Sequence, residues 1–235
     1  MAGTVVIVPA RMESTRLPGK PLADLCGRPL ILRVLDGAAE AAPDRIVAAT
    51  DSEKIAETVE KAGYEAVLTG PAANGTQRIY NAWKQLGKPG DKIVNLQGDE
   101  PGVGADWFDA LLGVNLSSGS ISTLAAPFPG KNASDPSSVK VVFDSSGRAL
   151  YFSRSRIPWN ASICHRHLGV YCFTPESLCF CAESPQGALA SAENLEQLSW
   201  MENGVRIMVV PGEWNGIGVD TPEDLEEARA WFMKR

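Results

Sequence analysis

Over its first hundred residues the chain alternates two hydrophobic periods. Short apolar runs of strand type are TVVIVPA (4–10), RIVAAT (45–50), EAVLTG (65–70) and DKIVNLQGDEP (91–101), the last running on into a loop. Between them lie segments whose apolar residues recur at helical spacing. These are LILRVLDGAAEA (30–41), the amphipathic SEKIAETVEKAG (52–63) with its glycine stop, and GTQRIYNAWKQLG (75–87). The order β-α-β-α-β-α-β predicts an α/β fold around a mostly parallel sheet. In such sheets ligands lie beyond the carboxyl ends of the strands. The stretches PAR (9–11), TD (50–51) and QGDEP (97–101) fall at those ends.

The middle of the chain changes character. STLAAPF (122–128), SVKVVFD (138–144), ALYFSR (149–154) and HLGVYCFT (167–174) read as short strands separated by Pro, Ser and Gly. DSSG (144–147) joins two of them as a hairpin. This predicts a smaller lobe of antiparallel character, around residues 122–185, within a single domain. A helix over 193–204, a strand over 205–212 and a helix over 221–234 complete the pattern. The last helix has a marked start, with Thr221 as cap, Pro222 at the first helical position and Asp224 three residues beyond the cap. Trp83, Trp107, Trp200 and Trp231 sit in helical segments and read as packing residues.

Composition narrows the function more than the fold. With 22 Lys+Arg against 28 Asp+Glu the net charge is −6, and there is no long basic tract, so nucleic-acid binding is not expected. No apolar run is long enough for a membrane span, and the N-terminus reads as a strand rather than a signal peptide. The five cysteines, 26, 164, 172, 179 and 181, contain no C-x-x-C pair. They read as reduced thiols of a cytoplasmic protein, and Cys172, Cys179 and Cys181 as buried thiols rather than a metal site.

Against an acidic background, the cations that follow the first strand are a local feature that calls for a local anion. In VVIVPARMESTRLPGKPL (5–22), Arg11, Arg16 and Lys20 follow that strand within ten residues, with Gly19 allowing a tight path and Pro21 fixing the exit. A polyphosphate fits such a cluster. The loop is neither a Walker A motif, since Pro follows Gly-Lys, nor a Gly-x-Gly-x-x-Gly fingerprint. Asp99 in LQGDEP, at the end of a central strand, and Asp220 in GVDTPEDL, read as a second strand end, are placed to hold Mg²⁺. Each alone reads as a turn or cap residue. Together with a polyphosphate loop they suggest metal-assisted reaction at phosphate.

VPARMESTRLPGKPL, NGTQR, VNLQGDEP, ALYFSRSRIPW, RHLGVY, LEQLSWMENG and GVDTPEDL occur here in the order and positions seen in the 3-deoxy-manno-octulosonate (KDO) cytidylyltransferases, which the chain resembles over nearly its whole length. The resemblance implies a Rossmann-like α/β/α nucleotidyltransferase fold, a homodimer and dependence on Mg²⁺. It also implies transfer of CMP from CTP to an acidic sugar for lipopolysaccharide or capsule synthesis. By similarity, Pro9 and Ala10 frame the cytidine, and Arg11, Ser14, Arg16 and Lys20 lie by the phosphates. Asn74, Gly75 and Thr76 complete the nucleotide contacts. Asp99 and Asp220 hold the metal, and with Lys20 they form the catalytic set. Arg78, Gln97, Arg154, His167, Tyr171, Glu196 and Gln197 are the expected sugar contacts, with His167 also readable as a hydrogen-bonded histidine of a strand.

The departures from the family pattern cluster on the sugar side. Asn74 and Gln77 replace Ser and an acid, Ser199 replaces Arg, and SPQGALAS places Ala190 at the usual Glu position with a few extra residues. Met12 stands where an aromatic is usual, and the loop NASICH (160–165) is short. An acid lost at 77 and an Arg lost at 199 would cancel if they once formed an ion pair. The other readings are an amino-substituted KDO or a nonulosonate as substrate, another nucleotidyltransferase of similar fold, or a nucleotide-binding protein without activity.

Overall fold

Residues 3–14, 16–129, 133–214 and 217–234 are described by a computed structural model. The chain divides into two units, Met1–Asp109 with Asn215–Arg235, and Ala110–Trp214. The second unit extends beyond 122–185 on both sides.

In the first unit the strands β1 (Thr4–Ala10), β2 (Arg45–Thr50), β3 (Glu65–Leu68) and β4 (Lys92–Leu96) alternate with helices α1 (Leu30–Ala39), α2 (Glu53–Lys61) and α3 (Gly75–Gln85). The strands pair in parallel in the order β3-β2-β1-β4. Strands covered by helices on both faces need apolar residues at every position. Accordingly Val6, Ile7, Val8, Val47, Ala48, Ala49, Ile93 and Val94 are all fully buried. Helix starts follow their caps. The Ser52 side chain accepts from the N–H of Ile55, and Asn74 from that of Gln77. Helix α4 (Ala105–Gly113) runs across the division between the units, and Trp107 within it is buried, as is Trp83 in α3.

The chain returns to the first unit with α8 (Pro222–Phe232), where Thr221 and Asp224 form the expected capping box. Leu225 and Ala228 bury against Leu25, Leu30 and Val219. Each such leucine is worth about 1.5–3 kcal/mol on burial. That packing anchors the segment carrying Asp220. Asp220 is not at a strand end, contrary to the expectation. It lies in irregular chain just before α8, because its backbone N–H is taken by the Asp224 side chain at 3.0 Å rather than by a ladder.

The second unit is built on β5 (Ser120–Pro129), which pairs antiparallel with β8 (Ile163–Phe173) and parallel with β9 (Arg206–Pro211). The predicted hairpin is present as β6 (Lys140–Phe143) and β7 (Ala149–Ser153), closed by Asp144 N–H to the Arg148 carbonyl at 2.9 Å. Lys140 is fully buried, and its ammonium donates to the carbonyls of Asp135, Ser138 and Arg154 at 2.8, 2.6 and 2.5 Å. Helices α5 (Pro175–Glu183), α6 (Ala188–Glu193) and α7 (Glu196–Glu202) follow β8. The helix expected over 193–204 is α7, which starts later because Asn194 takes a left-handed φ of 53° and ends α6 first. All five cysteines are free, with Cys164, Cys172 and Cys181 buried and Cys26 exposed.

Candidate functional site

The loop after β1 is closed on itself. The Gly19 N–H donates to the Met12 carbonyl at 3.3 Å, and the Leu17 N–H to the Ser14 hydroxyl at 3.4 Å. Gly19 has φ 71°, a left-handed conformation that residues with a Cβ adopt at a cost. It launches the single 3-10 turn Lys20–Leu22, which begins at Lys20. Ser14, expected beside the phosphates, is thus also an acceptor within the loop turn. Arg11 is exposed and has no ion pair among the described residues.

Lys20 is the centre of the site. Its Nζ donates to Asp99 Oδ2 at 2.7 Å and to Asp220 Oδ1 at 3.0 Å. Arg16 donates to the other oxygen of Asp220 at 3.0 Å. The segments carrying Asp99 and Asp220 are joined by a backbone bond, since the Val219 N–H donates to the Asp99 carbonyl at 2.8 Å. LQGDEP in turn lies against β1. A Cβ added at Gly98 would stand 2.8 Å from the Pro9 carbonyl oxygen, so only glycine lets the Asp99 backbone come this close. Burial alone lowers the Lys20 pKa, but Asp99 and then Asp220 more than offset it, and the net shift is upward. The side chain is therefore an ammonium at neutral pH. Two carboxylate oxygens converge on that one positive centre. The same pair suits a divalent cation that takes its remaining ligands from water and phosphate. Among the described residues no cluster of three or more His, Cys, Asp or Glu offers a fuller metal cage.

Pro9, Gly75 and Gln97 also meet. A Cβ at Gly75 would lie 3.6 Å from both the Gln97 amide and the Pro9 ring. Gln97 is steadied by its Nε2 donating to Asn95 Oδ1 at 3.3 Å. Ala10 closes β1, and Asn74 and Thr76 stand at the start of α3, Asn74 as its cap. Arg78 is 5% exposed and donates to Thr69 Oγ1 at 2.8 Å and to Asp51 Oδ2 at 2.5 Å. It ties the ends of β2 and β3 together, so Asp51 is a residue that sequence reasoning located at a strand end but gave no partner. Gln77, the neutral replacement for an acid, accepts from the Ala73 N–H at 2.7 Å, a task an amide oxygen does as well as a carboxylate.

The second unit holds the other expected sugar contacts. His167 and Tyr171 are neighbours on β8 with ring centroids 5.4 Å apart, and the Phe152 ring stands edge-on to His167 at 5.0 Å. Burial pushes the His167 pKa down to about 3, so the ring is neutral at pH 7. Tyr171 is held well above the usual phenol range by burial first and the Glu196 charge second. Gln197 is buried beside Glu196 in α7. Arg154 donates to the carbonyls of Glu193, Pro136 and Asn194 at 3.0, 2.9 and 3.4 Å, which fastens β7 to the end of α6. The Glu193 carboxylate returns the contact, accepting from Ser153 Oγ at 2.6 Å and the Arg154 N–H at 2.8 Å. Sequence reasoning missed Glu193 because it lay in a segment read only as the start of a helix. Ser199 has a local partner too, the Gly187 N–H at 3.2 Å, so neither Gln77 nor Ser199 is left wanting an ion pair.

Comparison with known proteins places these features. The sequence profile of a family described as cytidylyltransferase matches residues 5–207. A 3-deoxy-manno-octulosonate cytidylyltransferase of Anaeromyxobacter sp. (strain Fw109-5) is 43% identical over 236 residues, covering 98% of this chain and 97% of that protein. One from Anaeromyxobacter dehalogenans (strain 2CP-C) is 44% identical over 237 residues and covers 98% of each chain. A solved structure described as CMP:2-keto-3-deoxy-manno-octonic acid synthetase complexed with CTP matches with a TM-score of 0.91 and 32% identity over 99% of both chains.

Proposed function

Because this chain belongs to the 3-deoxy-manno-octulosonate cytidylyltransferase family, we infer that it transfers CMP from CTP to the anomeric hydroxyl of KDO, releasing pyrophosphate. The observation that carries the reading is the Lys20 ammonium held between Asp99 and Asp220 at 2.7 and 3.0 Å, in the loop of cations that follows β1.

The chemistry asked of the protein is positioning and charge neutralisation. The hydroxyl attacks the α-phosphorus in line with the leaving pyrophosphate, so little covalent work falls to side chains. Lys20, Arg16 and Arg11 supply positive charge to the phosphates. Lys20 meets the charge that builds on the leaving group, in a site where preorganised charge counts for more than in water. Pro9, Ala10 and the start of α3 frame the nucleotide. Asp99 and Asp220 would hold Mg²⁺, which when bound neutralises and polarises phosphate oxygens. Gln97, Arg78, His167, Tyr171, Glu196, Gln197 and Arg154 serve the sugar, some by touching it and some, as the bonds of Arg78 and Arg154 argue, by fixing the backbone around it. The enzyme acts as a homodimer in the cytoplasm, a compartment that keeps its five free cysteines reduced.

The test is pyrophosphate release with Mg²⁺, CTP and KDO, beside 8-amino-KDO, N-acetylneuraminate and no sugar, with a chelator arm. Release with KDO that stops on chelation and returns with Mg²⁺ is expected. Release with another acid alone moves the specificity, and calorimetric CTP binding without release on any sugar overturns the enzymatic reading.

A further inference from the structure

The bond between Thr123 and His167 has a direction that the surrounding atoms decide. Thr123 Oγ1 stands 2.9 Å from His167 Nε2, 2.7 Å from the Val170 carbonyl oxygen and 3.2 Å from that of Leu168. The three contacts arise because β8 bulges here. Thr123 pairs with Tyr171 while Leu124 pairs with Leu168, so two extra residues of β8 loop around the threonine hydroxyl. Thr123 is fully buried, so water cannot substitute for any of these partners. A hydroxyl has one hydrogen to give, and carbonyl oxygens only accept. That hydrogen goes to the carbonyls of the bulge. The hydroxyl lone pair is left to face Nε2, which must therefore carry the ring's proton and donate.

We propose that Thr123 is a positioning residue for the sugar site: it locks His167 as the Nε2–H tautomer and so presents Nδ1 as a hydrogen-bond acceptor for a hydroxyl group of the sugar. Among the described residues Thr123 is the hydrogen-bond partner of the His167 ring, at Nε2, and His167 is half-buried rather than sealed. The Phe152 edge and the Tyr171 ring hold the imidazole plane, so the lone pair has a fixed aim. The neutral ring cannot serve as the cation for the sugar carboxylate. Its part is to read a donor, and a site built to accept a hydroxyl hydrogen discriminates strongly against an analogue lacking that hydroxyl. The inference rests on the KDO reading for the identity of the ligand but not for the tautomer.

The chain has two histidines, 165 and 167, which makes the test readable. Long-range ¹H–¹⁵N spectra of the ligand-free protein at pH 7, assigned with His165→Gln, should show the His167 proton on Nε2. Thr123→Val should erase that preference and raise KM for KDO at least tenfold with KM for CTP unchanged, while Thr123→Ser keeps both. A wild-type proton on Nδ1 overturns the proposal even if the Val variant fails to fold, and so does a Thr123→Ser protein with the tautomer lost. A Thr123→Val enzyme whose KM values for KDO and CTP rise together overturns it as well. If wild type shows the Nε2 proton but releases no pyrophosphate with any sugar, the functional reading fails and the tautomer lock stands.

Discussion

Lys20 has two opposed tasks in one place. It neutralises Asp99 and Asp220, and in the proposed reaction it would face phosphate charge when CTP arrives. Removing it leaves two carboxylates that share one cation position facing each other with no positive charge between them. Lys20→Ala should therefore lower kcat/KM by about 10²–10³, the usual cost of a preorganised charge-stabilising donor. Steady-state kinetics at saturating Mg²⁺ checks this, and a loss below tenfold would contradict it. His167 gives a second residue-scale prediction. Its pKa is depressed from 6.5 to about 3 by burial, so between those values the unfolded chain binds the extra proton and the folded one does not. Its contribution to stability is complete above pH 6.5 and is lost as pH falls toward 3. Thermal melts across that window should fall less steeply for His167→Gln than for wild type. At this scale the sequence was most informative for charge. Arg16, Lys20, Asp99 and Asp220 were all singled out, and the structure brings all four together. It was least informative for direction. Nothing in RHLGVY says which ring nitrogen holds the proton, because that depends on Thr123, more than forty residues away and reached only through a bulge.

The parallel half of the fold was legible because its elements obey simple periods, with apolar strands between amphipathic helices whose caps are spelled out at Ser52 and Thr221. Helices α5 and α6 were not. PESLCFCAE mixes apolar and polar residues without a clear face, and α6 is a short ALASAE with no side chain of its own at the cap. The cap comes from elsewhere. Glu202 in α7 accepts from the N–H groups of Leu189 and Ala190 at 3.1 and 3.3 Å, in space that a side chain at Gly187 would fill. Glu202 and Ser199 of α7 thus fasten the start of α6, around Ala190, to α7. Glu202→Ala should lower stability by about 1 kcal/mol, the value of a lost helix cap, seen as a fall of about 2–4 °C in Tm. The kcat should be unchanged, and a fall in kcat at unchanged Tm would instead tie this pair to the sugar.

At the scale of the whole molecule, the sequence reading was one α/β domain with a smaller lobe around 122–185, and the chain divides into Met1–Asp109 with Asn215–Arg235, and Ala110–Trp214. Parallel strands order the first unit, and β5, with its antiparallel and parallel neighbours, orders the second. No helix among the described residues is long and apolar enough to cross a membrane. Sedimentation at micromolar concentration should give a dimer, and a single monomeric boundary there would contradict the proposed assembly. The measurement closest to the central claim is the covalent structure of the product. CTP and KDO are incubated with the enzyme and Mg²⁺, and the sugar product is isolated and its ³¹P and ¹³C spectra recorded. The prediction is a single phosphodiester whose phosphorus couples to the anomeric carbon of KDO, with one pyrophosphate released per CTP. CTP consumed with KDO recovered unchanged, or phosphorus on any other carbon of the sugar, would contradict it.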